Sequence, residues 1–137
     1  GIPHVSRSSS ADVLPGTQVL LGDTMGELTM FYAAADVAFV GGSLVRIGGH
    51  NLLEPVALAV PVVTGPHNEN AADIAHLLVG CGAALVVPDW AALAAEVNWL
   101  LGDEAERQRR GTAGREAILA NRGALDRLLA LIDPLVG

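Results

Sequence analysis

The residues best suited to chemistry lie between Gly41 and Glu54, in the order Gly-Gly-Ser-Leu-Val-Arg-Ile-Gly-Gly-His-Asn-Leu-Leu-Glu. An apolar stretch, Val37 to Val40, runs into two glycines, a short loop and two more glycines, and a helix opens at His50-Asn51. Glycines ahead of a helix N-terminus let backbone N–H groups approach an anion, and the helix dipole favours negative charge there. Glu54, one turn further on, has a carboxylate able to accept hydrogen bonds from sugar hydroxyls. Phosphate donors beside a hydroxyl acceptor point to a bound nucleotide, and first of all to a nucleotide sugar.

Most of the remaining polar residues have a local role as well as a ligand role open to them. Glu54 stands three residues after Asn51, which is capping-box spacing, so capping and ribose binding both stay open. Pro55 fits a helix only near its first turn and marks where this one begins. Asn70 and Asp73 have the spacing of an N-cap pair. His50 and His67 lack a third ligand at any recognisable spacing, so no metal is expected, and donation to a phosphate or carboxylate is their functional role. Arg46 is either an anion contact or an exposed loop arginine, and Asp23 either a site residue or a turn residue. His4 and His76 read as surface or core packing. Ser43 lacks the strand-turn-helix setting of a nucleophile, and no two carboxylates are spaced for acid–base work. Cys81, between Gly80 and Gly82, reads as a small packed side chain. The chain is expected to hold a ligand and to carry no catalytic group.

These residues need elements to position them. Ile2 to Val5 is a short apolar piece, followed by a turn-rich Ser8 to Gly16 segment. Strands are predicted at Gln18–Leu21, Asp36–Val40, Pro61–Thr64 and Ala83–Val87. A helix with Leu28, Phe31 and Tyr32 on one face starts from the capping-box spacing of Thr24-Met25-Gly26-Glu27. Further helices are predicted at Asn51–Ala59, Ala71–Val79, Trp90–Leu101, Glu104–Ala120 and Ala124–Leu131. In the Trp90 helix, Leu93, Val97, Leu100 and Leu101 recur at helical spacing. Short strands that are apolar throughout and alternate with helices imply a parallel sheet covered on both faces. The expected fold is therefore α/β, most of a Rossmann-like doubly wound domain with a helical tail. Ligands bind such sheets outside the carboxyl ends of the strands. Three polar or glycine-rich loops, Gly22–Gly26, Gly41–Asn51 and Gly65–Asn70, all follow a strand, and right-handed crossovers would bring them to one edge. The loops expected at the other edge, Ala59-Val60 and Gly80–Gly82, are small and apolar.

The bulk numbers narrow the classes. At 137 residues the chain is one domain at most. Its mean hydropathy of +0.43 is high, yet no apolar run approaches the roughly 20 residues that span a bilayer. The longest, Leu77 to Val87, is broken by Gly80 and Gly82. Gly1 to Ser10 does not read as a signal peptide, and the start reads as a cut within a larger protein. The net charge is −7, with eight arginines and no lysine. Such a chain lacks the basic patch that general nucleic-acid binding needs. Five of the arginines fall between Arg107 and Arg122 among acidic residues, the pattern of a solvated helical face. A single cysteine excludes an internal disulfide and suits a reducing compartment.

Four blocks resemble one family. They are Gly22-Asp23-Thr24-Met25-Gly26-Glu27-Leu28, Ala35-Asp36-Val37-Ala38-Phe39-Val40-Gly41-Gly42-Ser43-Leu44-Val45, Gly48-Gly49-His50-Asn51-Leu52-Leu53-Glu54-Pro55 and Gly65-Pro66-His67. In this order they resemble the 3-deoxy-D-manno-octulosonic acid (Kdo) transferases, GT-B glycosyltransferases that move Kdo from CMP-Kdo onto a lipid A precursor. The resemblance extends to Asn121-Arg122-Gly123-Ala124-Leu125. It implies that residues 1–137 are a partial C-terminal, donor-binding domain of two facing Rossmann-like domains, lacking its opening strand-helix units. It also implies that Gly48, Gly49, His50 and Asn51 sit at the donor phosphate and Glu54 at the ribose. Gly41, Gly42 and Ser43 would line the cleft near the sugar. Asp23, Thr24, Met25 and Gly26 would lie toward the nucleotide, with His67 and Asn70 closing the other side.

By the same resemblance the catalytic base is a glutamate of the first domain, which also carries the membrane anchor and the acceptor surface. The whole protein is then expected at the cytoplasmic face of the inner membrane, and this portion is expected to be soluble, with no cofactor. An exposed sheet edge left by the shortened domain would favour dimerisation or aggregation. Glu69 and Ala71 stand where many relatives place aromatics around the Asn70 position, and Arg46-Ile47 is a variable pair. Two other readings remain: another GT-B enzyme using a UDP-sugar, as a transferase or epimerase, and a non-catalytic nucleotide-binding module.

Overall fold

The computed structural model describes residues 2–136 and contains two parallel sheets. The first pairs β1 (His4–Ser6) with β2 (Val19–Leu21). The second has the order β3 (Ala38–Val40), β4 (Val62–Thr64), β5 (Ala84–Val86), again all parallel. Helices fill the connections: α1 (Leu28–Ala34), α2 (Leu53–Ala57), α3 (Ala72–Gly80), α4 (Trp90–Leu101) and α5 (Glu104–Val136). Single 3-10 turns cover Arg7–Ser9 and Glu69–Ala71.

Successive side chains on a strand point to opposite faces, and the register sorts the core accordingly. On one face Val40, Val62 and Ala84 cluster with Leu52 and Val56 around α2 and with Ala75 and Leu78 of α3, and Ile118 of α5 packs against them. On the other face Val63 meets Val87 and Leu100, with Leu85, Leu93 and Val97 alongside, so α4 supplies that cover. A sheet covered on both faces needs strands without polar alternation, as the sequence pattern requires.

The helical tail is seated closely at two glycines, on backbone at one and on side chains at the other. A Cβ at Gly111 would collide with the Ala59 carbonyl, and one at Gly114 would lie 2.6 Å from the Cβ of Ala83 and 2.7 Å from Cγ1 of Val56. Asp89 and Asp103 start the last two helices by accepting from Ala92 N (2.8 Å) and Glu106 N (3.0 Å). Two of the arginines expected on a solvated face are structural. Arg107 donates to the carbonyls of Leu100 (2.7 Å) and Leu101 (2.8 Å) at the end of α4. Arg110 donates to Gly82 O (2.6 Å) and lies over the Trp99 ring at 5.4 Å.

The structure departs from the sequence reading in four places. The strands form two sheets, because no ladder joins β1 or β2 to β3, β4 or β5. Helix α1 starts at Leu28 and not at Thr24, since Gly26 takes a left-handed φ of +80° that no helix accommodates and the Thr24 hydroxyl donates to the Glu27 carboxylate. Helix α2 is shorter than Asn51–Ala59, bounded by a turn at Asn51 and by Ala59 at φ +59°. The two predicted tail helices are one, because Gly123 does not interrupt α5; a lone helical glycine costs only about 1 kcal/mol.

Candidate functional site

Because β3 and β4 run parallel, the loops that follow them leave from the same edge, and they are bonded to one another. Ser43 is the link. Its hydroxyl donates to Val40 O (2.8 Å) and accepts from Gly65 N (2.8 Å), and its carbonyl accepts from His67 N (2.9 Å). Asn70 N donates to Gly48 O (3.2 Å), and the Asn70 side-chain amide donates to Ile47 O (3.4 Å). Asn68 braces the second loop from within, donating to Gly65 O (2.8 Å) and accepting from the Thr64 hydroxyl (3.3 Å).

This interlock accounts for most of the glycines. Gly42, Gly48 and Gly49 have left-handed φ values of +72°, +103° and +79°. A Cβ on Gly48 would overlap the Asn70 amide, one on Gly49 would lie 2.5 Å from Asn68 Oδ1, and one on Gly42 would lie 2.9 Å from the His50 ring. Gly41 differs: its φ is unexceptional and nothing stands within 4 Å of where its Cβ would be.

Two expectations change. Ser43 does not line a cleft; it is fully buried and its hydroxyl is engaged on both sides. The anion cradle is also smaller than the sequence suggested. Gly48 is buried, and the Gly49 amide donates to Gly42 O at 2.8 Å. Five residues of α2 make a weak dipole. What remains among the described residues are the backbone N–H groups of His50 and Asn51, which belong to exposed residues and have no internal acceptor. Glu54 is not part of a capping box. The Asn51 side chain accepts from Leu53 N (2.9 Å), while the Glu54 carboxylate is exposed and bonded to no internal donor among the described residues. Asn70 and Asp73 likewise do not cap α3, because Asn70 is turned to the first loop.

The third loop has its own business. Asp23 accepts from Ser8 N (2.9 Å) and from the Ser8 hydroxyl, bonds that hold its carboxyl below the usual range. Glu27 is held down by the Thr24 hydroxyl and then by Arg7, 3.2 Å away. Met25 is 96% exposed. Among the described residues no hydrogen bond joins Asp23–Gly26 to the other two loops. On that side α1 packs against α2, and the Tyr32 phenol is pushed up by burial and then by the charge of Glu54.

The sequence reading gave no site role to three residues here: Asn68, Tyr32 and Glu69. Asn68 had a signal, since an Asn behind Gly65-Pro66 is a turn former that bonds its own neighbourhood. Glu69 Oε1 lies 3.3 Å from Nδ1 of His67, which favours the ring form with its proton on that nitrogen. Behind this loop a cavity of about 310 Å³ is lined by Pro66, Asn68, Glu69, Ala72, His76 and Val86 among others, and by none of residues 41–51. Among the described residues no three metal-binding side chains gather, and no helix is long and apolar enough to cross a membrane.

Known proteins share this arrangement. Residues 6–117 match the family described as glycosyl transferases group 1. A 3-deoxy-D-manno-octulosonic acid transferase of Haemophilus influenzae is 48% identical over 131 residues, 95% of this chain and 31% of that protein. One of Bordetella pertussis is 42% identical over 141 residues, 100% of this chain and 32% of that protein. The chain thus spans about a third of the length of the curated relatives it matches. The crystal structure of the C-terminal CMP-Kdo binding domain of WaaA from Acinetobacter baumannii superposes with a TM-score of 0.81 at 33% identity, over 85% of this chain and 61% of that one. The parallel α/β fold read from the sequence is the fold of that solved domain. The chain belongs to the family of group 1 glycosyl transferases, with 3-deoxy-D-manno-octulosonic acid transferases as relatives along nearly all its length.

Proposed function

We propose that residues 1–137 are a partial donor-binding domain, with its helical tail, of a glycosyltransferase that moves Kdo from CMP-Kdo to a lipid A precursor during assembly of the lipopolysaccharide inner core. One observation carries the reading. Two interlocked loops at the carboxyl edge of a parallel sheet leave the His50 and Asn51 amides, the Glu54 carboxylate and the open room at Gly41 unengaged. In this reading the amides neutralise the donor phosphate, Glu54 accepts from the ribose hydroxyls, and the absent Cβ of Gly41 gives the donor clearance. Gly42, Gly48, Gly49, Ser43 and Asn70 hold the loops in register, and His67 faces the anion from the second loop. Asp23, Thr24, Met25 and Gly26 approach the nucleotide from the α1 side.

Inverting transfer needs a general base beside the acceptor hydroxyl. In the whole protein a first domain supplies that base, the acceptor surface and the attachment to the cytoplasmic face of the inner membrane. The chain alone is therefore expected to bind CMP weakly if at all and to transfer nothing. No metal or cofactor enters this reading.

Titration of the chain with CMP, UMP and UDP by calorimetry tests it. CMP preference is expected. UDP preference would replace the reading with a UDP-sugar enzyme, and absence of nucleotide binding would leave open a non-catalytic scaffolding module. Gly41→Ala should keep the thermal midpoint and weaken CMP about tenfold, roughly 1.4 kcal/mol. Unchanged CMP affinity in that variant would remove Gly41 from the site, and Kdo transfer by the chain alone would overturn the division of labour.

A further inference from the structure

The second loop brings an anion of its own to the site. Glu69 Oε1 stands 3.3 Å from Nδ1 of His67, with the two side chains 65% and 26% exposed. The carboxyl is held below the ordinary range first by its own backbone N–H and then by the His67 ring, and the guanidinium of Arg46 in the first loop lowers it further. The first loop thus brings the Arg46 cation near the Glu69 carboxylate and the His67 ring of the second, and the negative charge is mounted on an exposed, adjustable side chain. An anionic ligand reaching for His67 or Arg46 meets a site that already contains a carboxylate.

We propose that Glu69 is a built-in counter-anion: it occupies the His67 imidazole in the empty site, and a phosphate or carboxylate ligand binds by displacing it. The proposal rests on the donor-binding reading above and deepens it, because it makes Glu69 the residue that sets how strongly an anion must bind to be held. Exposed ion pairs are weak, so the displacement is a modest threshold and not a block. The carboxylate also keeps the imidazole oriented while no ligand is present.

The experiment compares the full chain with Glu69→Gln, which keeps the shape and removes the charge. Glu104→Gln serves as a control, removing one negative charge beside Ala35, Asp36 and Pro61, away from the two loops. Inorganic phosphate is titrated while the His67 ring signals are followed by NMR, and CMP is titrated by calorimetry. Glu69→Gln should bind phosphate about two- to fivefold more tightly, with larger His67 shifts, and Glu104→Gln should match the parent. Equal phosphate affinity in Glu69→Gln and parent, His67 signals that phosphate does not move, or equal tightening in Glu104→Gln would each overturn the proposal. Tighter phosphate with no CMP binding in any protein would uphold the counter-anion and sink the nucleotide reading. CMP bound equally by parent and Glu69→Gln, with phosphate unchanged, would do the reverse.

Discussion

β4 and β2 are both three-residue parallel strands of apolar or β-branched residues, and they occupy opposite surroundings. Val62, Val63 and Thr64 are each 0% exposed, while Val19, Leu20 and Leu21 are 44%, 45% and 52% exposed. β4 has a hydrogen-bonded neighbour on each side and helices over each face. β2 has one neighbour, and its surroundings are tied by polar contacts, Ser8 to Asp23 and Arg7 to Glu27. The composition of a strand sets its capacity to be buried; segments far away in the chain decide whether that capacity is used. One region is held by packing and the other largely by exposed polar ties, and they should fail differently.

The widest gap is expected in the cores. Leu78→Ala, at a fully buried side chain, should cost about 2–5 kcal/mol in denaturant unfolding, whereas Leu20→Ala should cost about 1 kcal/mol or less. Comparable losses would mean that β2 is as well packed as the core where Leu78 of α3 meets Val62 of β4. A smaller effect separates the glycines of α5. Gly111→Ala should destabilise by about 1–3 kcal/mol despite alanine's better helix propensity, because the Ala59 carbonyl is backbone and cannot turn aside. Gly123→Ala should be neutral or stabilising, since its nearest neighbour is the far end of Arg127 at 3.6 Å. A neutral Gly111→Ala in thermal melts would place α5 further from α2 than it is here.

Acid should have the mildest effect. Asp23 is held below its ordinary range by Ser8, and Glu27 by Thr24 and then Arg7. Lowered carboxyls contribute stability that is present above the unfolded value of about 4 and is lost as pH falls through their folded values. Glu106, lowered chiefly by Arg109, behaves alike on α5. Hydrogen exchange below about pH 4 should therefore release the Ser8 amide, bonded to Asp23, before the amides of β4. Simultaneous release would show that the two regions unfold as one.

Element order was legible in the sequence because apolar runs ended at Gly22, Gly41, Gly65 and Pro88 mark strands without any tertiary information. The partition into two sheets was not, since pairing joins residues distant in sequence and leaves no local trace. Within the site, the edge and its two loops were legible from where polar residues and glycines accumulate. The reasons for the glycines were hidden. Gly48 and Gly49 look the same in sequence whether a ligand or Asn70 and Asn68 crowd them, and only the fold shows which. Ser43 was misplaced for the same reason: a serine in a glycine-rich loop reads as exposed until both of its partners are known. Asp89, by contrast, was given no role in the sequence reading, although an Asp directly before a predicted helix is an N-cap signal.

Seating α5 on bare main chain at Gly111, with Gly114 close against the Ala83 and Val56 side chains, also fixes its rotational phase. Side chains could absorb a small roll of a helix by changing rotamer, but a glycine set into a carbonyl works like a key in a keyway. One residue inserted between Asp103 and Gly111 would turn the downstream helix by about 100° and bring Arg110 to the Ala59 carbonyl. Whatever α5 presents beyond Gly114 is thereby indexed, turn by turn, to the Ala59 turn at the edge opposite the two loops.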